Sequence, residues 1–159
     1  MNYFELFDIP VSIAVDRAAL AKKYVELQKQ YHPDFFTQAE ESAQQEALEK
    51  SSDINKALKV LKNQDATIQY ILQLKGLVET DEKYPLPPDF LMEVMELNEN
   101  LSGDSAAAIA EFEKNIYGEV SDIIANYNDA AVSKEALLKL KEYYYKKKYL
   151  QRILDRIDG

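Results

Sequence analysis

Asp16-Arg17-Ala18-Ala19-Leu20-Ala21-Lys22-Lys23-Tyr24-Val25-Glu26-Leu27-Gln28-Lys29-Gln30-Tyr31-His32-Pro33-Asp34 is the stretch on which the fold turns. Asp16 is a good N-cap for a helix through about Tyr31. Leu20, Tyr24, Leu27 and Tyr31 recur at spacings of four, three and four, which places them on one apolar face. Lys22, Lys23, Glu26 and Lys29 lie largely off that stripe. Pro33 ends the helix, because proline disfavours helical geometry at the residue before it.

A second helix is expected downstream of this turn, from about Gln38 to Lys62, with Ala43, Ala47, Ile54, Leu58 and Leu61 on its buried side. Two such helices joined by a short loop form an antiparallel hairpin. The opening segment Tyr3-Phe4-Glu5-Leu6-Phe7 is expected to pack across it. A third apolar segment, Ile68 to Leu74, ends at Gly76, a residue suited to a helix C-cap.

Three of the five prolines fall in Tyr84-Pro85-Leu86-Pro87-Pro88, after the polar run Glu79-Thr80-Asp81-Glu82-Lys83. Residues 77–88 therefore read as a short, stiff linker between halves 1–76 and 89–159. Beyond it, three helices are expected. The first runs from about Asp89 to Leu101. The second starts at Asp104 or Ser105, with Ile109, Phe112, Ile116, Val120, Ile123 and Tyr127 on one side. The third runs from near Ser133 to Ile157, with Leu140, Tyr143, Leu150, Leu154 and Ile157 inward. Short loops between long helices favour an antiparallel three-helix bundle. Strand-like alternation is absent, so the expected fold is all-α.

Composition narrows the function. At 47% apolar and 30% charged residues the 159-residue chain is too apolar for disorder. It contains no cysteine and one histidine, which removes thiol chemistry, zinc ribbons and direct cysteine ligation of an iron–sulfur cluster. A net charge of −9 disfavours nucleic-acid binding, which needs a basic field. No stretch approaches the ~18 apolar residues of a membrane span. The first residues have neither a basic start nor the character of a transit peptide, so a cytoplasmic location is the default expectation. Charge is uneven: residues 77–130 carry 2 Lys/Arg against 13 Asp/Glu, whereas residues 131–159 carry 8 against 4. Distinct surfaces for distinct partners would show this asymmetry, as would an ordinary solvated acidic face.

His32-Pro33-Asp34 admits two readings on its own. Proline can hold a rigid loop that offers an imidazole and a carboxylate to a partner. Equally, the tripeptide can be a plain helix-ending turn, which chance supplies in roughly one chain in fifty of this length. A hydrolytic His–Asp pair is disfavoured, because adjacent residues rarely meet triad geometry and no nucleophile is indicated nearby.

The helix at residues 90–101 shows two apolar stripes. Phe90, Val94, Leu97 and Leu101 cluster within roughly 60°, while Leu91, Met92 and Met95 lie on about the opposite side beside Glu96 and Glu99. A bundle helix needs only one buried face. The second stripe either packs on the rest of the chain or is a partner surface, for which methionine is well suited.

Tyr31-His32-Pro33-Asp34 after a lysine-bearing helix, followed by Ile54-Asn55-Lys56-Ala57-Leu58, resembles a J-domain. The start Tyr3-Phe4-Glu5-Leu6-Phe7, the segment Gln69-Tyr70-Ile71-Leu72-Gln73-Leu74-Lys75-Gly76, and Asp89-Phe90-Leu91-Met92-Glu93 resemble the HscB family, J-domain co-chaperones of iron–sulfur cluster assembly. The likeness runs over nearly the whole chain. It implies a J-domain over residues 1–76 and a scaffold-binding bundle over residues 89–159. His32, Pro33 and Asp34, helped by Lys22, Lys23 and Lys29, would dock on an HscA-like, DnaK-class chaperone and promote its ATP hydrolysis. Leu91, Met92, Met95, Glu96 and Glu99, with Tyr149 from the last helix, would bind an IscU-like scaffold. The resemblance implies no catalytic activity and no cofactor of the chain's own, any cluster belonging to the scaffold. A J-protein with a different client is the alternative. Two positions depart from the family pattern: Phe35 stands where a basic residue commonly follows the aspartate, and Thr67 where an arginine is usual.

Overall fold

The computed structural model describes residues 1–99 and 105–158, the side chains of residues 98–99 and 157–158 excepted. Among the described residues there are seven α-helices and no strand: α1 Tyr3–Phe7, α2 Arg17–Tyr31, α3 Glu41–Leu61, α4 Gln64–Leu74, α5 Pro88–Glu99, α6 Ser105–Ala125 and α7 Lys134–Asp158. A single 3₁₀ turn, Pro33–Phe36, follows α2. The all-α expectation holds. The chain divides into two compact units, residues 1–70 and residues 71–159, and the division falls inside α4.

In the first unit, the Asp16 carboxylate accepts the amides of Ala18 and Ala19 at 2.9 and 3.1 Å and starts α2 at Arg17. Leu20 is buried on its inner face, with Tyr24, Leu27 and Tyr31 half-buried. From α3, Ala47, Ile54, Ala57 and Leu61 are buried. Asn55 registers the pair: its Oδ1 accepts from the Tyr24 hydroxyl at 3.0 Å and from the Gln28 amide at 3.3 Å. α1 is short but firmly begun, since Asn2 and Glu5 form a reciprocal capping box. Its Phe4 and Phe7 are buried, and Tyr3 stacks on Tyr70 with ring centroids 4.5 Å apart. α4 begins four residues before the expected Ile68. The Asn63 side chain accepts the Ala66 amide at 2.9 Å and so supplies a cap that apolar periodicity does not reveal.

Thr67 is wholly buried at the α3–α4 corner, its hydroxyl donating to the carbonyls of Asn63 and Val60 at 2.8 and 3.0 Å. A small hydroxyl therefore fits where a long cation would have no exit. Gly76 closes α4 as expected, at φ +71°. The Leu77 amide reaches Leu72 O and the Gly76 amide reaches Gln73 O, a Schellman pair that uses glycine's tolerance of the left-handed region.

In the second unit, residues 79–84, read from the sequence as part of a linker, are tied to α7. Glu82 pairs with Lys141 at 2.7 Å, and Tyr84 stacks on Tyr145 with centroids 4.7 Å apart. The Lys141 ammonium and the Glu79 amide hold the Glu82 carboxyl below its ordinary range. Burial, together with the Glu82 carboxylate, pushes the Tyr145 hydroxyl up to about 12. α6 contributes buried Ile109, Ile116, Val120 and Ile124, and α7 contributes buried Leu137, Leu140, Tyr143, Tyr145, Leu150 and Ile153. Leu101 and the Ile157 side chain, expected in this core, lie outside the described residues. The α6–α7 loop is latched by Asp129, which accepts from Tyr127 at 2.8 Å and pairs with Lys75 at 3.0 Å.

Candidate functional site

His32 belongs to two elements at once. Its backbone amide closes α2 on Gln28 O at 2.9 Å, and it is also the N-cap of the Pro33–Phe36 turn. Its Nδ1 accepts the Asp34 amide at 3.2 Å, with the Asp34 carboxylate 3.6 Å away. Pro33 occupies the first position of the turn, where a missing N–H leaves no bond unmade. The result is a stiff corner that exposes both side chains, the Asp34 carboxylate at 86% and the His32 ring at 45%.

A groove of about 370 Å³ runs along α2 into this corner, lined by Tyr24, Val25, Gln28, Lys29, His32, Asp34 and Phe35. The structure thus brings Lys29 to the His-Pro-Asp corner. Lys22 is exposed on the outward side of α2 but does not line the groove. Lys23 points elsewhere, its ammonium 3.6 Å from Asp8 just after α1 and 4.0 Å from Glu26. Of the apolar groove residues, Val25 has no place in the sequence reading and Phe35 enters it only as a departure from the family pattern. Val25 is half exposed and Phe35 is 67% exposed, its ring edge-on to His32 at 6.1 Å. Val25 could have been noticed, because it is the one branched aliphatic residue of α2 off the apolar stripe.

α5 shows the two faces that its sequence carries. Phe90 and Val94 are buried, at 7% and 0% exposure, whereas Met92 and Met95 are 67% and 51% exposed. Leu91 is half-buried and Glu96 is exposed beside them. Glu99 ends the helix, and its side chain lies outside the described residues. Tyr149 meets α5 through Phe90, ring edge to ring face at 6.3 Å, and lines a cavity of about 340 Å³ with Tyr84, Tyr145, Lys148 and Arg152. Of the neighbouring tyrosines, Tyr143 and Tyr145 are buried and Tyr144 half-buried. Lys146, also largely buried, lies 5.3 Å from the Phe90 ring and bridges Glu142 and Glu119 at 3.1 and 3.6 Å. Among the described residues no group of three or more His, Asp or Glu could hold a metal ion. No helix among them is long and apolar enough to cross a membrane.

Comparison with known proteins gives this geometry a family. A family model described as the HSCB C-terminal oligomerisation domain matches residues 86–158. A Vibrio cholerae protein named co-chaperone protein HscB homolog is 32% identical over 171 aligned positions that span the whole of both chains. The chain belongs to the HscB family. Another HscB homolog, from Psychromonas ingrahamii, is 42% identical over 103 residues, covering 64% of this chain and 61% of its own length. The crystal structure of human co-chaperone protein HscB aligns with a TM-score of 0.80 at 28% identity, over 99% of this chain and 81% of that one. Those relatives carry the name co-chaperone, and the exposed His-Pro-Asp corner of this chain is consistent with a site for contact with a partner.

Proposed function

We propose that this HscB-family chain stimulates the ATPase of an HscA-like, DnaK-class chaperone through His32, Pro33 and Asp34 and delivers an IscU-like scaffold to it during iron–sulfur cluster assembly. The observation that carries this reading is the corner itself. A histidine fixed by its own loop and an almost fully exposed aspartate stand beside Lys29 at the end of a groove. Lysines on the outer face of α2 would steer the partner's acidic surface more than they add to affinity. Residues 1–76 act as the J-domain and residues 89–159 as the client-binding bundle, with Leu91, Met92, Met95, Glu96, Glu99 and Tyr149 as its contacts. The chain is not itself an enzyme, and it works in the cytoplasm. No cluster ligands are needed on it, because the cluster travels on the scaffold.

The test is steady-state ATP turnover by the cognate HscA-like chaperone, with this protein alone and with the scaffold added. Wild-type protein raises turnover, and the scaffold raises it further. His32→Gln abolishes the stimulation while the circular dichroism spectrum stays helical. Turnover that does not respond to wild-type protein refutes the proposal.

A further inference from the structure

We infer that Phe35 and Val25 form an apolar anchor that seats an aliphatic side chain of the DnaK-class chaperone, ringed on the partner by carboxylates that meet Lys22 and Lys29. The inference rests on the function proposed above and adds a contact to it. Phe35 follows the aspartate directly and is 67% exposed, and Val25 on α2 is 50% exposed. Both line the same groove, with His32 and Asp34 at its end. The Phe35 ring stands 68° to the imidazole at 6.1 Å, so the two rings make one continuous wall. A large aromatic side chain on so short and well-fixed a turn loses little freedom when it is covered, which is the property of an interface anchor.

Charge selects the occupant. Lys29 lines the groove and Lys22 stands exposed one face-repeat away, and neither is in an ion pair among the described residues. A second copy docked groove to groove about a two-fold axis would set those lysines against their own images. A partner with an aliphatic centre and an acidic rim meets both the groove and its border. The contact also gives docking an apolar share, so affinity should fall less steeply with salt than a charge-only contact would.

The experiment titrates wild type, Phe35→Ala, Phe35→Met, Phe35→Arg and His32→Gln against the cognate chaperone's ATP turnover at low and high salt. Phe35→Ala is expected to raise the half-saturating concentration on the order of ten-fold with maximal turnover unchanged. Phe35→Met, which keeps an apolar side chain, recovers most of that loss. Phe35→Arg binds with a steeper salt dependence than wild type. If Phe35→Ala titrates like wild type while His32→Gln is inactive, the anchor is wrong and the His-Pro-Asp function stands. A fall in maximal turnover alone would mean that Phe35 acts by positioning His32, and this also overturns the anchor. No stimulation by wild type overturns both.

Discussion

The two faces of α5 support a prediction whose size follows from their burial. Fully burying a methionine side chain is worth about 1.5–3 kcal/mol. Met92 and Met95 are 67% and 51% exposed in the free chain, so more than half of that gain is still to be made on each. Covering both with a scaffold should then contribute about 2–4 kcal/mol, or one and a half to three orders of magnitude in affinity. In Met92→Ala plus Met95→Ala the free protein should lose less than about 1 kcal/mol, since alanine's helix preference offsets part of the lost packing. Val94→Ala on the opposite face should behave in the reverse way. Val94 is wholly buried, and removing two methyl groups from a packed site costs about 2–3 kcal/mol, whereas the exposed face remains intact. Calorimetric titration with the scaffold and urea unfolding, run on all three proteins, separate the two effects. The reasoning fails if the double variant unfolds as easily as Val94→Ala, or if it binds the scaffold as tightly as wild type. Leu91 is half-buried and would mix both effects, which makes the methionine pair the cleaner perturbation.

Thr67→Val keeps the shape of a wholly buried side chain and deletes its hydroxyl. Both acceptor carbonyls retain a backbone partner, so urea unfolding should show a loss of only about 1 kcal/mol. The second unit should be most stable between the carboxylate and tyrosine ranges. Burial raises the Asp129 carboxyl, but hydrogen bonds from Lys75 and Tyr127 outweigh it and leave the group below its ordinary value. A carboxylate depressed by folding stabilises above its unfolded pKa of about 4 and loses that stabilisation as pH falls through the folded value. Asp129→Asn should therefore flatten the acid limb of a thermal-unfolding profile. On the alkaline side Tyr145, pushed up to about 12, stabilises fully below its unfolded value near 10 and less as pH rises through 12. Ultraviolet titration should find it among the last tyrosines to ionise.

Both ends of α2 and the C-terminal end of α4 were legible, because one residue decides each of them locally. Asp16 caps α2, Pro33 ends it, and Gly76 takes the left-handed geometry that closes α4. The α5 stripes were equally legible, because a 3.6-residue period maps directly onto faces. The Asn63 cap of α4 escaped because apolar periodicity does not register it, and the rest of what escaped depends on contacts between distant residues. Lys23 looks equivalent to Lys22 and Lys29 in sequence, yet α1 delivers Asp8 to within 3.6 Å of it. Residues 79–84 have the composition of a linker, and only the folded chain shows Lys141 and Tyr145 waiting for Glu82 and Tyr84. Phe35 reads as a departure from a pattern until its exposure beside Val25 gives it a surface to belong to.

The bond from the Asp34 amide to His32 Nδ1 has a consequence for the kind of partner this loop can meet. A nitrogen that accepts a hydrogen bond carries no proton, so the neutral ring holds its proton on Nε2. The imidazole therefore reaches outward as a donor, while the carboxylate two residues on reaches outward as an acceptor. In that tautomer the corner has a direction: it offers an N–H to an oxygen of the partner at the histidine, and a carboxylate to an N–H group or a cation at the aspartate, in that order along the turn.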